Sequence, residues 1–379
     1  MKDKYAIVGV GQTRLGDLPG VSKLGIVSEA MRNAIVDAGL TNKDVDGIMS
    51  HSDSVYTHHT RVGELLGINP RFAETITSGG ASQIKQLIWA CLAIEHGLAE
   101  VVVCGYGETE RHRADPRLGA SAVGGGAREF GPEFGMFAAP AEHALGAQRY
   151  MHEYGVKREQ LGEIAVAFRE HASRNPHAQM RNPITIEDYM NSRWIVEPFK
   201  LLDCCLVTDG AGAFVVTTAE RAQNLRHPPV YIQGFGEHNN ARGWWADDNF
   251  VSMAGAESSA RAYAMAGVGP QDMQFAQIYD CFTYVVLCTL EDYGFCKKGE
   301  GGAFVEGGTL RLGGRLPTNT SGGQLSEGHV QGMMQVIEAV RQLRHDEYGA
   351  DRQIKDCDIG IVSGHGGNTV CHATAILHR

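Results

Sequence analysis

The sequence lacks any apolar run near the roughly 20 residues that a bilayer span requires, so no membrane-spanning segment is expected. Its nine cysteines include no CxxC pair. Neither a zinc site nor a disulfide framework can therefore be read from spacing, and reduced, buried thiols are expected. Positive charge is in short supply: 34 Lys+Arg stand against 44 Asp+Glu, a net charge of −10, with no basic run. Phosphates repel such a surface, which argues against a nucleic-acid partner. The start, MKDKYAIVGVGQTRLG, has no apolar h-region, and a soluble, cytoplasmic protein is expected. Gly9-Val-Gly11 lacks the third glycine of a dinucleotide fingerprint, and there is no P-loop and no GxSxG elbow. His58-His59 has no metal partner at helical spacing, so no metal site is expected.

What is present is an ordinary globular composition, with 43% hydrophobic and 21% charged residues over 379 positions. That length suits two domains or one duplicated unit. Tyr5 to Val10 reads as a buried strand, and 21–39 has helical periodicity ending at Gly39. Val45 to Met49 is a second strand, 81–96 an apolar helix, and Val101 to Gly105 a strand buried on both sides. Alternating elements of this kind predict an α/β fold with a mostly parallel sheet. Residues 108–150 carry GlyGlyGly at 124–126 and few periodic positions, as in a functional loop or lid. Helix returns at 141–175, a capped helical start follows Pro183, and Asp209 to Val216 reads as a glycine-rich turn entering a strand.

The pattern then repeats. Val230 to Gly236 echoes Tyr5 to Gly11, and aligning Gly39 with Gly267 sets His51 opposite Tyr279. Thr77-Ser-Gly-Gly80 recurs as Thr320-Ser-Gly-Gly323, and Val101 to Gly107 as Ile359 to Gly366. This predicts two duplicated halves packed on a shared core, with the site between them.

Taken in order, AIVGVGQT (6–13), RYMHEYGVKREQLGEIAV and HASRNPHA (149–178), LLDCCLVTDGAGAFVV (201–216), YDCF (279–282) and NTSGGQLSEGHVQG (319–332) span nearly the whole chain. In that order the chain resembles the thiolase superfamily, within it the sterol-carrier and lipid-transfer branch. The resemblance implies two βαβαβαββ halves in an α-β-α-β-α layering with an inserted loop domain. The expected divisions are 1–107 and 201–228 for the N-terminal half, 108–200 for the insertion and 229–379 for the C-terminal half.

The departures from that family carry the function. A thiolase holds a nucleophilic cysteine at a helix N-terminus, where the dipole favours thiolate. That position falls on Gly80, flanked by Ser78 and Ser82, and the nearest cysteine is Cys91, about three helical turns on. The second thiolase cysteine is replaced by Ser363-Gly-His365-Gly-Gly367, where His365 can take an acid/base role. His329 matches the family's GHP histidine, with Val330 in place of the proline. Tyr279 replaces the histidine of the branch's HDCF, Asp280 can orient its neighbours, and Cys281 and Phe282 read as packing.

A site without thiols can still stabilise a thioester enolate through backbone N–H groups near Gly80 and the Gly366-Gly367 turn. Retro-aldol cleavage of a β-hydroxyacyl-CoA needs that enolate and no acyl-enzyme. The chain also resembles steroid side-chain aldolases of this branch. These imply Tyr279 and His329 as the acid/base pair, in either order. They more often carry tyrosine at the position of His329. Ser78 or Ser82 could serve as a nucleophile only beside a base. The resemblance implies a homodimer, a small OB-fold/zinc-ribbon partner giving a heterotetramer, a coenzyme A thioester as substrate, and no cofactor on this chain. Two alternatives stay open, a thiolase or acyltransferase and a non-catalytic scaffold subunit. Specificity is expected in 108–150 and 240–255, and Trp244-Trp245 reads as a packed pair or a substrate contact.

Overall fold

The protein is described from a computed structural model covering residues 1–52, 56–112, 131–136, 138–240, 251–367 and 370–379. Trp244-Trp245, the glycines at 124–126 and most of 240–255 lie outside the described residues.

Each half begins with a strand whose glycines admit a helix at close range. Strand β1 (Tyr5–Gln12) receives helix α1 (Lys23–Asp37) so closely that a Cβ at Gly9 would overlap the Ala34 carbonyl. The Ser22 hydroxyl caps α1 by accepting from Gly25 N–H at 3.0 Å. Gly39 ends the helix at φ +74°. The second half repeats the arrangement. A Cβ at Gly234 of β8 (Val230–Asn239) would overlap the Ala262 carbonyl of the helix Gly255–Ala266, which Gly267 ends at φ +73°.

The N-terminal half continues with β2 (Gly47–Ser50), α2 (His58–Leu66), β3 (Phe72–Thr75), α3 (Ser82–Glu95) and β4 (Val101–Thr109). The chain then leaves the sheet for α4 (Ala138–Tyr154), α5 (Arg158–Arg174) and the hairpin β5 (Trp194–Val196)–β6 (Phe199–Lys200). It re-enters as β7 (Asp209–Thr218), hydrogen-bonded to both β4 and β1. Asp209 is therefore strand and not turn, because its segment runs antiparallel to β4 from Thr109 onward. Its buried carboxylate ties down the stem of the excursion, accepting from Arg111 N–H at 2.9 Å and meeting His112 Nδ1 at 2.5 Å.

The second half runs through α6 (the helix Gly255–Ala266), β9 (Phe275–Gln277), α7 (Thr283–Asp292), the short α8 (Gly323–Ser326), α9 (Met333–Arg344), β10 (Ile359–Gly366) and β11 (Cys371–His378). The strand order β3-β2-β4-β7-β1 of the first half is mirrored by β9-β10-β11-β8. A bridge between Ala276 and Thr318 is what remains of a fifth C-terminal strand. The two sheets join at β1 and β8 through Ala6–Tyr231 and Ile7–Val230, giving nine continuous strands.

A mostly parallel sheet was expected from the alternation, but the sheet is mixed. Three strand pairs are parallel and five antiparallel. The cause is that each half closes on itself with antiparallel neighbours (β4–β7–β1 and β10–β11–β8), so only β2, β3, β4 and β9, β10 need crossovers. The central helices α3 and α9 touch strands of both halves, while α1 and α6 cover the outer faces. The expected α-β-α-β-α layering follows. Among the described residues no helix is long and apolar enough to cross a membrane.

Candidate active site

The predicted residues converge where the loops after β9 and before α3 and α9 meet β10. Ile278 fixes the first of these loops, because Asn319 binds it from both sides: Ile278 N–H donates to Asn319 Oδ1 at 2.6 Å, and Asn319 Nδ2 donates to the Ile278 carbonyl at 2.7 Å. Tyr279 N–H then donates to Ser363 Oγ on β10 at 2.7 Å. These bonds set the Tyr279 ring between two glycines. A Cβ at Gly80 would overlap its Cε2 and Cζ, and a Cβ at Gly332 would come within 3.0 Å of Cδ2. The phenol thus fills the space that any side chain at position 80 would need.

His329 sits in the turn between α8 and α9, its N–H donating to Thr208 Oγ1 at 3.0 Å. Its Nε2 lies 3.4 Å from Tyr279 Oη. Asp280, next to Tyr279, points away from this pair. It accepts from Gln324 N–H at 2.9 Å, Leu325 N–H at 3.2 Å and Gln335 Nε2 at 2.7 Å. Asp280 therefore binds the turn that carries His329 to the strand end that carries Tyr279. Burial pushes its carboxyl up to about 6 against those donors.

His365 on β10 places its ring centroid 6.0 Å from that of Tyr279, and its backbone bridges Gly80. The glycine turns touch as well: a Cβ at Gly79 would lie 3.2 Å from Gly366 Cα. Ser82 is fully buried, and its hydroxyl oxygen accepts from Ser78 N–H at 2.8 Å, so it stabilises the turn around Gly80. The Ser78 carbonyl packs on Gly366 and receives the Cys371 thiol at 3.5 Å.

Burial decides the protonation states. It pushes the Tyr279 phenol well above the ordinary tyrosine range, with Cys281, Cys205, Asp280 and Cys371 adding to the shift. It pulls the His329 imidazole down to about 4, opposed weakly by the Glu108 carboxylate. It also pulls His365 well below the ordinary histidine range, helped by His143 and His372. At neutral pH the site therefore offers a protonated phenol in contact with a neutral imidazole, one acid and one base side by side.

Sequence reasoning missed three residues here. Asn319 and Ser363 lie inside motifs whose other members were singled out, so their positions were visible but not their roles. His143 had no such signal. It stands in the excursion between β4 and β7, on α4, and meets His365 through space.

The thiolase N-terminal domain family matches residues 5–220, and the thiolase C-terminal domain-like family matches 236–379. A steroid side-chain-cleaving aldolase of Thermomonospora curvata is 39% identical over 360 residues, covering 89% of this chain and 90% of its own. The 17-hydroxy-3-oxo-4-pregnene-20-carboxyl-CoA lyase of Mycobacterium tuberculosis is 39% identical over 362 residues, covering 91% and 92%. The solved Ltp2-ChsH2(DUF35) aldolase superposes with a TM-score of 0.91 at 36% identity, covering 100% of this chain and 98% of its own.

Proposed function

The chain belongs to the thiolase superfamily, and from that premise we propose that it is an acyl-CoA carbon–carbon lyase cleaving a β-hydroxyacyl-CoA by a retro-aldol reaction. The observation that carries this reading is the Tyr279 ring lying over Gly80, which puts an acid/base group where an acyl-enzyme would otherwise form. The lyase and aldolase names of its relatives agree with it.

The steps follow from the resting protonation states. His329 Nε2, the nitrogen facing the Tyr279 phenol and unprotonated at neutral pH, takes the proton of the substrate's β-hydroxyl. The oxygen's electrons form the new C=O, the Cα–Cβ bond breaks, and its electron pair becomes the thioester enolate. Backbone N–H groups at Gly80 and Gly366 hold the enolate oxygen. Tyr279 delivers its proton to Cα, giving the shorter acyl-CoA and a ketone or aldehyde. The net change is one proton moved from oxygen to carbon. Imidazolium and phenolate are then left 3.4 Å apart, so a single transfer between them restores the resting pair.

The enzyme is read as a cytoplasmic homodimer joined by a small OB-fold/zinc-ribbon partner of the DUF35 kind into a heterotetramer. The superposition on a DUF35-containing aldolase supports that partner class.

The test offers matched β-hydroxyacyl-CoA and β-ketoacyl-CoA substrates, with and without the partner and free CoA, and follows acyl-CoA products by mass spectrometry. Cleavage of the β-hydroxy substrate without free CoA is expected. Cleavage of the β-keto substrate only with free CoA would instead establish a thiolase, and turnover of neither by the complex would favour the scaffold reading.

The pH dependence is a separate expectation. A base titrating near 4 stays functional as pH falls through the ordinary histidine value of 6.5. The acid limb of kcat/KM should therefore lie below about pH 5, with little change from about pH 6 to 8. A limb centred at the ordinary value would remove His329 from the role of base.

A further inference from the structure

The segment HASRNPHA (171–178) has no part in the cycle above, yet the residues that follow it reach the turn that carries His329. Gln179 N–H donates to the Glu327 carbonyl at 3.1 Å, and Met180 N–H to the Ser326 carbonyl at 3.0 Å. The Gln179 side chain extends this seam. Its Nε2 donates to Thr208 Oγ1 at 2.7 Å and lies 3.3 Å from the Glu327 carbonyl. Thr208, fully buried just before β7, accepts at the same oxygen from His329 N–H at 3.0 Å. A hydroxyl oxygen has two acceptor lone pairs, and these two donors engage both. Gly328 is wedged into the same place. A Cβ there would come within 3.0 Å of Leu15 Cδ1, 3.1 Å of Gln179 Nε2 and 3.3 Å of Thr208 Cγ2. Glu327, Gly328 and His329 are therefore seated together on one glutamine and one threonine from remote parts of the chain.

We propose that Gln179 is a positioning residue of the cleavage reaction, acting with Thr208 to fix the backbone of His329 so that its Nε2 stays opposite Tyr279 Oη. The proposal rests on the lyase reading and deepens it. The contact between imidazole and phenol, at 3.4 Å, is already at the long limit of a hydrogen bond. A turn that drifts by about 1 Å breaks it, and misplacement on that scale can cost about 100-fold in rate. The drifted imidazole neither meets the β-hydroxyl nor returns its proton to the phenolate.

Kinetics of the partner complex with a β-hydroxyacyl-CoA test the assignment. Gln179 is half-buried, so Gln179→Leu keeps the bulk of the side chain and leaves the core intact while donating nothing. Thr208→Val replaces the shared oxygen by a methyl group. Each should lower kcat at least about tenfold with KM within about twofold. Thr208→Ser keeps the oxygen and should stay within about threefold of wild type. Because the two residues act through one contact, the double variant should lose little more than the worse single variant. Losses that multiply would overturn the relay. So would wild-type kcat in either single variant, or a raised KM at unchanged kcat, which would mean a contact with substrate. Crystal structures of the wild-type chain and of Gln179→Leu give a readout independent of activity. His329 Nε2 and Tyr279 Oη should stand about 1 Å farther apart in the variant, and an unmoved pair would overturn the positioning role. Should the wild-type complex cleave no β-hydroxyacyl-CoA, the lyase reading fails, while the two distances still decide whether Gln179 positions His329.

Discussion

Tyr279→Phe is expected to lower turnover of a β-hydroxyacyl-CoA by at least about 100-fold, the lower range for losing a positioned acid or base. The substitution removes one atom. The ring keeps its place between Gly80 and Gly332, and Tyr279 N–H keeps its bond to Ser363 Oγ. The phenol's contact with His329 is long, at 3.4 Å, so its loss should cost no more than about 1 kcal/mol of stability. Activity and folding are thereby separated: thermal unfolding should be nearly unchanged while kcat collapses. Turnover within a few-fold of wild type would end the assignment of Tyr279 as the acid. Normal turnover by both this variant and His329→Ala in the partner complex would mean that the chain only scaffolds its partner.

The second large effect concerns Gly80. A cysteine there would resupply the thiolase nucleophile, yet Gly80→Cys is expected to give neither activity. Its Cβ would overlap Tyr279 Cε2 and Cζ, and the His365 carbonyl closes the other side. The tyrosine must swing out or the turn before α3 must shift. Forced overpacking of this kind costs about 1–3 kcal/mol, and displacing the phenol should cost at least about 100-fold in lyase turnover. The new thiol should form no acyl adduct with a β-ketoacyl-CoA, as read by intact-protein mass spectrometry. Acylation of the Gly80→Cys protein together with thiolytic turnover would show that Tyr279 is not what excludes the acyl-enzyme route. Gly80→Cys combined with Tyr279→Ala separates the two causes, because it removes the obstructing ring. If the ring is what blocks acylation, the double variant should form the acyl adduct that Gly80→Cys alone does not, while its unfolding midpoint stays below wild type, because the His365 carbonyl still crowds position 80 and the lost phenol leaves a cavity.

Much of the fold was legible because its signals are local. Helical periodicity over 21–39, the glycines at 39 and 267, and the recurrence of Thr-Ser-Gly-Gly each reflect contacts within one unit, and the structure places the two units as mirrored strand orders. The parallel-sheet expectation failed because alternation along a chain reports crossovers and says nothing of which way a returning strand runs. Of the proposed site, Tyr279, His329 and Gly80 were named from motif order and counting, and the structure brings these three positions together.

Other properties depend on groups that are remote in sequence and meet only in the folded molecule. The amino-acid order by itself determined the duplicated α/β unit, the glycine at position 80 and the tyrosine and histidines of the segments that meet it, since each is a property of short segments. Tertiary structure decided that the Tyr279 ring fills the space beside Gly80, and that Asp280 ties down the turn that carries His329. It also paired His143 with His365 across 222 positions of sequence. The protonation states belong to the same class. A phenol held protonated and an imidazole held neutral are consequences of desolvation, and no residue in isolation carries its own solvent exposure.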